Sequence, residues 1–114
     1  MEFKEIQERA IEVQKKYNDY NERKNIRWTA REYTEGLVGD VGDLMKLIQA
    51  KSGIRKIEDV DEKLRHEIAD CLWSIIVIAD QLDLDLESVF MDEMDKLENR
   101  VDRGDGDVKV KEEV

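Results

Sequence analysis

The sequence predicts an all-α fold, a four-helix bundle-like protomer, and three observations carry that expectation. Proline is absent from all 114 residues. Apolar residues recur at spacings of three and four along most of the chain, the period of an amphipathic helix. Polar clusters that contain capping residues interrupt this periodicity between the helical stretches. An apolar fraction of 40% is enough for one modest core in a single domain.

The first helix is expected from Phe3 to Tyr20, with Phe3, Ile6, Ala10, Val13, Tyr17 and Tyr20 on one face. The polar run from Asn18 to Asn25 ends it. Thr29 and Glu32 have the spacing of a capping box, in which each side chain satisfies a backbone N–H at the helix start. The second helix then runs to about Lys51, where Ser52 and Gly53 stop it. A linker containing Ile54 and Ile57 leads to a third helix, capped by Asp59 or Asp61 and extending to about Gln81. Asp83 or Asp85 caps a fourth, which carries Leu86, Phe90, Met94, Leu97 and Val101. The helical domain is thus expected over 1–101, followed by a polar, flexible tail over 102–114.

Charge narrows the functional classes. With 29 acids against 19 bases the net charge is −10, which counts against bulk nucleic acid as a ligand, because phosphate backbones demand a basic surface. A phosphorylated small molecule stays open if divalent cations lie between the two negative partners. No stretch reaches the ~18 apolar residues of a membrane span, and MEFKEIQERA lacks the apolar core of a signal peptide. The expectation is a soluble, cytoplasmic protein. Cys71 stands alone, without zinc spacing around it, and its neighbours Ile68, Leu72 and Ile75 mark it as core filler.

The chemistry-bearing pattern is a duplicated pair of carboxylates. With Leu37 at zero on a helical wheel, Val41, Leu44 and Ile48 form a core stripe, while Asp40 and Asp43 fall at about −60° and −120°. With Leu64 at zero on the third helix, Ile68, Cys71, Ile75 and Ala79 form the stripe, and Glu67 and Asp70 take the same offsets of about −60° and −120°. If the two helices pack antiparallel, four carboxylates converge at their shared edge. Oxygen-only donors on facing helices suit Mg²⁺ or Mn²⁺. His66 falls further round, near −160°, and is expected to point outward. Solvated acidic flanks are the competing reading, since like charges three residues apart are common in so acidic a chain.

Gly36, Gly39 and Gly42 inside the second helix each cost about 1 kcal/mol relative to alanine. Gly36 lies on the Asp40 flank and would leave room for a ligand; close packing against a neighbouring helix is the alternative for all three. On the third helix, Trp73, Ile76 and Val77 lie off the core stripe, so its second half is apolar nearly all round. Self-association through that surface is the expected consequence, against burial under the first and fourth helices.

The stretch LVGDVGDLMKL, followed by LRHEIADCLWSIIVIADQLDLDLESV, resembles the MazG-like nucleotide pyrophosphohydrolases of the all-alpha NTP pyrophosphatase group, and within it the small dCTP-pyrophosphatase-like branch. The resemblance covers roughly residues 30 to 100. It implies hydrolysis between the α and β phosphates of an NTP or dNTP, with Mg²⁺ held by Asp40, Asp43, Glu67 and Asp70, and assembly as a homodimer or tetramer. Two departures stand out. Asp40 and Asp43 replace the family's glutamates, and Ala50 stands where the branch often has an aromatic. Under this resemblance Asp40 is the candidate proton acceptor. Lys51, Lys96 and Asn99 are candidates for phosphate or sugar contacts, and Trp28 for stacking on the base or, equally, for packing at the second helix's start. The competing functional classes are a non-enzymatic helical adaptor that retains the fold and a hydrolase of another phosphorylated metabolite.

Overall fold

A computed structural model describes residues 1–104, which form α1 (Phe3–Glu22), α2 (Ala30–Lys51), α3 (Val60–Gln81) and α4 (Leu86–Asp102), with no strand among them. The expected tail over 102–114 lies, beyond residue 104, outside the described residues. The chain divides into two compact units, one from Met1 to Leu84 and a second from Asp85 onward. α1, α2 and α3 make up the helical part of the first.

Local signals set the helix ends. Thr29 and Glu32 form the anticipated capping box: the Thr29 backbone N–H donates to Glu32 Oε1 at 2.8 Å, and its hydroxyl to the same oxygen at 2.7 Å. Asp85 caps α4, accepting from the Ser88 N–H. Asp59 precedes α3 in the left-handed region (φ 53°) and makes no side-chain cap hydrogen bond. α1, α2 and α3 end alike. Asn25, Gly53 and Asp83 adopt positive φ, and the next residue's N–H reaches back five positions, Ile26 to Asn21, Ile54 to Gln49 and Leu84 to Ala79. A left-handed residue at this point lets the chain turn while satisfying carbonyls that the helix leaves free. Only Gly53 adopts it without a Cβ penalty.

α2 and α3 are antiparallel. Lys51 at the end of α2 bonds Asp61 at the start of α3, and Gln81 at the end of α3 donates to the Trp28 carbonyl just before α2. α1 packs on α3, where the Trp73 indole N–H donates to the Ala10 carbonyl at 3.0 Å. The core is narrow: Ala10, Tyr33, Leu47, Ile76, Val77 and Ala79, with Gln14 and Ser74 beside them.

This core corrects two expectations. Val41, Ile48, Ile68 and Ile75, assigned to core stripes, are exposed, whereas Ile76 and Val77, assigned to an assembly surface, are buried within the unit. Trp73 is half-buried. Each helix has two apolar flanks, and α1 covers the Trp73 side of α3. The open apolar surface is the other side. It comprises Val38, Val41, Met45 and Ile48 on α2, and Ile68, Leu72, Ile75 and Leu82 on α3. α1 differs in the same way: Tyr17 and Tyr20 are exposed, and Gln14 is the buried residue one turn beyond Ala10.

α4 forms the second unit. None of its residues is buried, and Phe90, Met94, Leu97 and Val101 are exposed along it.

Candidate metal centre

The antiparallel pairing of α2 and α3 sets the two acidic pairs opposite one another. One carboxylate oxygen each from Asp40, Asp43 and Glu67 lies within 4.8 Å of the others, and so does one ligating atom each from His66, Glu67 and Asp70. Glu67 is common to both groups, so the structure gathers all four carboxylates around it.

Asp40, Glu67 and Asp70 are half-buried, and Asp43 is exposed. Glu67 Oε2 is buried without a hydrogen-bond partner. Desolvation raises the Glu67 pKa above the ordinary carboxylate range, helped by Asp40, Asp43 and Asp70 and opposed by His66. Asp40 is raised too, by desolvation first and then by Asp70 and Asp43, again opposed by His66. The same surroundings push up the Cys71 thiol, chiefly through its own desolvation. Such a cluster is unfavourable while its charges face one another without a counter-ion. Hard oxygen donors and an orphaned carboxylate oxygen fit a divalent cation such as Mg²⁺ or Mn²⁺, which would relieve both the repulsion and the missing partner.

His66 is exposed, as its angular position implies, yet it still reaches the cluster. Its Nε2 lies 3.2 Å from Asp70 Oδ2, because the i,i+4 spacing and the length of the side chain outweigh the direction of its Cα–Cβ bond. The imidazole steadies one carboxylate of the cluster.

Two cavities flank the carboxylates. The larger, about 630 Å³, is walled by Tyr17, Tyr20, Trp28, Tyr33 and Trp73 and bordered by Asp40 and Asp70. Its rings interlock edge to face: Trp28 and Tyr33 centroids are 5.2 Å apart at 62°, and Tyr33 and Trp73 are 5.8 Å apart at 80°. Tyr33 is only 4% exposed; burial raises the pKa of its hydroxyl, which has no hydrogen-bond partner. Of these aromatics, sequence reasoning singled out only Trp28 for a ligand. The available signal was the concentration of Tyr and Trp at the end of α1 and the start of α2. The smaller cavity, about 240 Å³, lies on the opposite flank, where Asp43 and Glu67 meet Lys46, Lys63 and His66.

Gly36 lines the aromatic cavity, and a Cβ there would lie 3.6 Å from the Trp28 ring, an ordinary contact. A Cβ at Gly39 or Gly42 would meet nothing within 4 Å, so close packing within the chain does not account for either.

The other candidates lie apart from the carboxylates or in the second unit. Lys51 is engaged with Asp61 in an exposed pair and lines neither cavity. Lys96 pairs with Glu93 at 3.4 Å on α4, and with Asn99 it lines a cavity of about 320 Å³ inside the second unit.

An all-helical protein with facing carboxylates beside an aromatic cavity is the class that this geometry defines. Residues 28–104 match the family described as the MazG nucleotide pyrophosphohydrolase domain, and the chain belongs to that family. It is also 36% identical over 75 residues to the Gene 37 protein of Mycobacterium phage L5, a match covering 62% of this chain and 65% of the phage protein. No solved structure matches it. Among the described residues, no helix is long and apolar enough to cross a membrane.

Proposed function

We propose that the protein is a cytoplasmic, Mg²⁺-dependent nucleoside triphosphate pyrophosphohydrolase, which converts an NTP or dNTP and water to the monophosphate and pyrophosphate. The observation that carries this reading is the convergence of Asp40, Asp43, Glu67 and Asp70 beside an aromatic cavity large enough for a nucleoside. Membership of the MazG family supports it.

In this reading Asp40, Asp43, Glu67 and Asp70 hold the cation, with Mn²⁺ as a substitute. When bound, Mg²⁺ supplies charge neutralisation for the triphosphate and acidifies a coordinated water. The chain's own residues do the rest. Trp28, Tyr17 and Trp73 offer ring faces and edges to the base. Asp40 borders the aromatic cavity, and its raised proton affinity suits it to accept the proton of the attacking water. The bond that forms joins the water oxygen to the α-phosphorus. The bond that breaks joins the α-phosphorus to the bridging oxygen, which leaves with the β-phosphate as pyrophosphate.

The apolar stripes left open on α2 and α3 are assigned to a second copy of the chain, giving a homodimer or a tetramer built from dimers. Exposed apolar residues at helical spacing on both members of a packed pair form a surface that association removes from water.

The test is a panel of NTPs and dNTPs, dCTP first, incubated with Mg²⁺ while pyrophosphate and orthophosphate are detected separately. Pyrophosphate with matching monophosphate is the expected result. Orthophosphate alone would assign the site to a different phosphohydrolase. No turnover of any triphosphate would favour the adaptor.

A further inference from the structure

Among the described residues, two side-chain oxygens are sealed from water without a hydrogen-bond partner: Glu67 Oε2 and the Tyr33 hydroxyl. Both lie at the candidate site. A cation accounts for the first, and no described residue accounts for the second. A phenylalanine at position 33 would make the same ring contacts without the cost of a buried hydroxyl whose hydrogen bond is unmade. Ser74 shows the contrast. It too lines the aromatic cavity and is buried, yet its hydroxyl is not sealed off, so water can serve it.

The rings around that hydroxyl differ in how they are held. Tyr33 itself is fixed in the first turn of α2, where its N–H donates to the Thr29 carbonyl at 3.1 Å. Trp73 is half-buried and tied to α1 through the Ala10 carbonyl. Trp28 precedes the helix, is 39% exposed, and rests the edge of its ring over Gly36, which has no side chain to brace it. The Gln81 amide reaches the Trp28 carbonyl at 3.4 Å, the long end of a hydrogen bond. Trp28 packs edge-on against Tyr33, so it is the wall that can give way. Burial holds the proton on the Tyr33 oxygen, and a phenol that keeps its proton has one hydrogen bond to donate.

We propose that Tyr33 determines which base the aromatic cavity accepts: an entering nucleoside displaces the Trp28 ring from Tyr33, and the uncovered hydroxyl donates to an acceptor on the base, a carbonyl oxygen or a ring nitrogen. This rests on the proposed nucleotide substrate and adds how it is selected. A base with an acceptor at that place satisfies the hydroxyl. One that presents a C–H or N–H there leaves the hydroxyl desolvated and unpaired, the situation in which a site discriminates most strongly. Stacking on the rings does not select in this way, because every base has a π-face.

The experiment titrates the full chain and Tyr33→Phe with deoxycytidine, thymidine, deoxyuridine, deoxyadenosine and deoxyguanosine, followed by NMR. These ligands carry no phosphate and need no cation, so binding is read apart from hydrolysis. Tyr33→Phe should weaken the best-bound nucleoside about three- to tenfold, the worth of one uncharged hydrogen bond, and the poorest-bound by less than about twofold. Its melting temperature should equal or exceed that of wild type. Analogues of the best-bound base, with one acceptor at a time replaced by C–H, should include one that binds both proteins equally, which identifies the partner atom. In protein labelled with fluorotryptophan, the nucleoside should shift the Trp28 resonance, assigned by its loss in Trp28→Phe, further than that of Trp73. Equal effects of Tyr33→Phe on every base, or none, overturn the proposal and leave the hydrolase reading in place if triphosphates are turned over. A variant that melts well below wild type overturns it too, since the hydroxyl then has a partner inside the protein. An unmoved Trp28 resonance overturns the displacement. A wild-type chain that selects bases through Tyr33 yet turns over no triphosphate keeps this assignment and removes the hydrolase reading.

Discussion

The Trp73 indole N–H donates to the carbonyl oxygen of Ala10 at 3.0 Å, a bond from α3 to α1 behind the aromatic cavity. The same ring packs against Tyr17 and Tyr33, so one side chain joins the core to the cavity wall. Trp73→Phe keeps an aromatic but loses the donor and part of the packing. It should cost about 1–3 kcal/mol of stability, measurable by urea unfolding. A change below about 0.3 kcal/mol would show that α1 is held without this bond.

Tyr33 makes the opposite case. Its hydroxyl is buried and unpartnered, and such a group costs about 1–3 kcal/mol in desolvation. Tyr33→Phe should therefore be neutral or stabilising in the protein without nucleotide, with a melting temperature equal to or above wild type. A marked loss of stability would mean that the hydroxyl has a partner in solution.

Glu67→Gln tests the acidic cluster. Without metal, removing one like charge from beside Asp40, Asp43 and Asp70 should leave the fold at least as stable as wild type. Mg²⁺ should reverse that order, since a ligand held only by the folded state adds about 2.7 kcal/mol at a hundred times its dissociation constant. The variant should also lose most pyrophosphate release. Thermal unfolding with and without Mg²⁺, beside turnover, checks all three. Full metal stabilisation and wild-type turnover in the variant would remove Glu67 from the site.

The pH dependence has a definite sign. Asp40 and Glu67 have raised pKa values when folded, so the stability linked to them is fully present below the ordinary carboxylate pKa of about 4 and is lost as pH rises through their raised values. Glu32, lowered by its Thr29 hydrogen bonds, and Asp61, lowered by Lys51, act oppositely. Their contribution is present above the ordinary range and is lost only as pH falls through their lowered values. The metal-free protein should thus gain stability on mild acidification from neutral pH, before the second pair begins to cost it. A melting temperature that falls steadily from neutral pH downward would contradict this.

Assembly is tested on the surface that the structure leaves open. Wild type should sediment as a dimer or larger at micromolar concentration, and Val41→Asp or Ile75→Asp should shift it toward the 13.4 kDa monomer. A wild-type chain that sediments only as monomer would sink the proposed self-association.

The fold was legible in the sequence because its signals are local. The Thr29–Glu32 box, the Asp85 cap and the stop at Gly53 act within one helical turn, and a proline-free chain offers few alternatives to helix. The convergence of the carboxylates was legible because two offsets repeated on two helices. What stayed hidden depends on partners. Periodicity shows that Val41 and Ile75 avoid water on one flank and Ile76 and Val77 on another, but not which flank the same chain covers. A helical wheel places Cβ directions, so it missed His66, whose ring reaches Asp70 by its length. Tyr17 and Tyr20 looked like core because an apolar aromatic face reads the same whether it fills an interior or walls an open cavity.

The hairpin of α2 and α3 supplies every carboxylate of the cluster, two from each arm, and it is latched at its two ends by Lys51 to Asp61 and Gln81 to Trp28. Exposed contacts of this kind add little stability, so what keeps the arms together is the narrow strip of Leu47, Ile76, Val77 and Ala79. Separating the arms dismantles the cation site in one event, because neither arm alone carries more than half of its ligands. Backbone amides in the middle of α2 and α3 should therefore exchange with solvent deuterium as one cooperative block, and a divalent cation should slow both arms by the same factor.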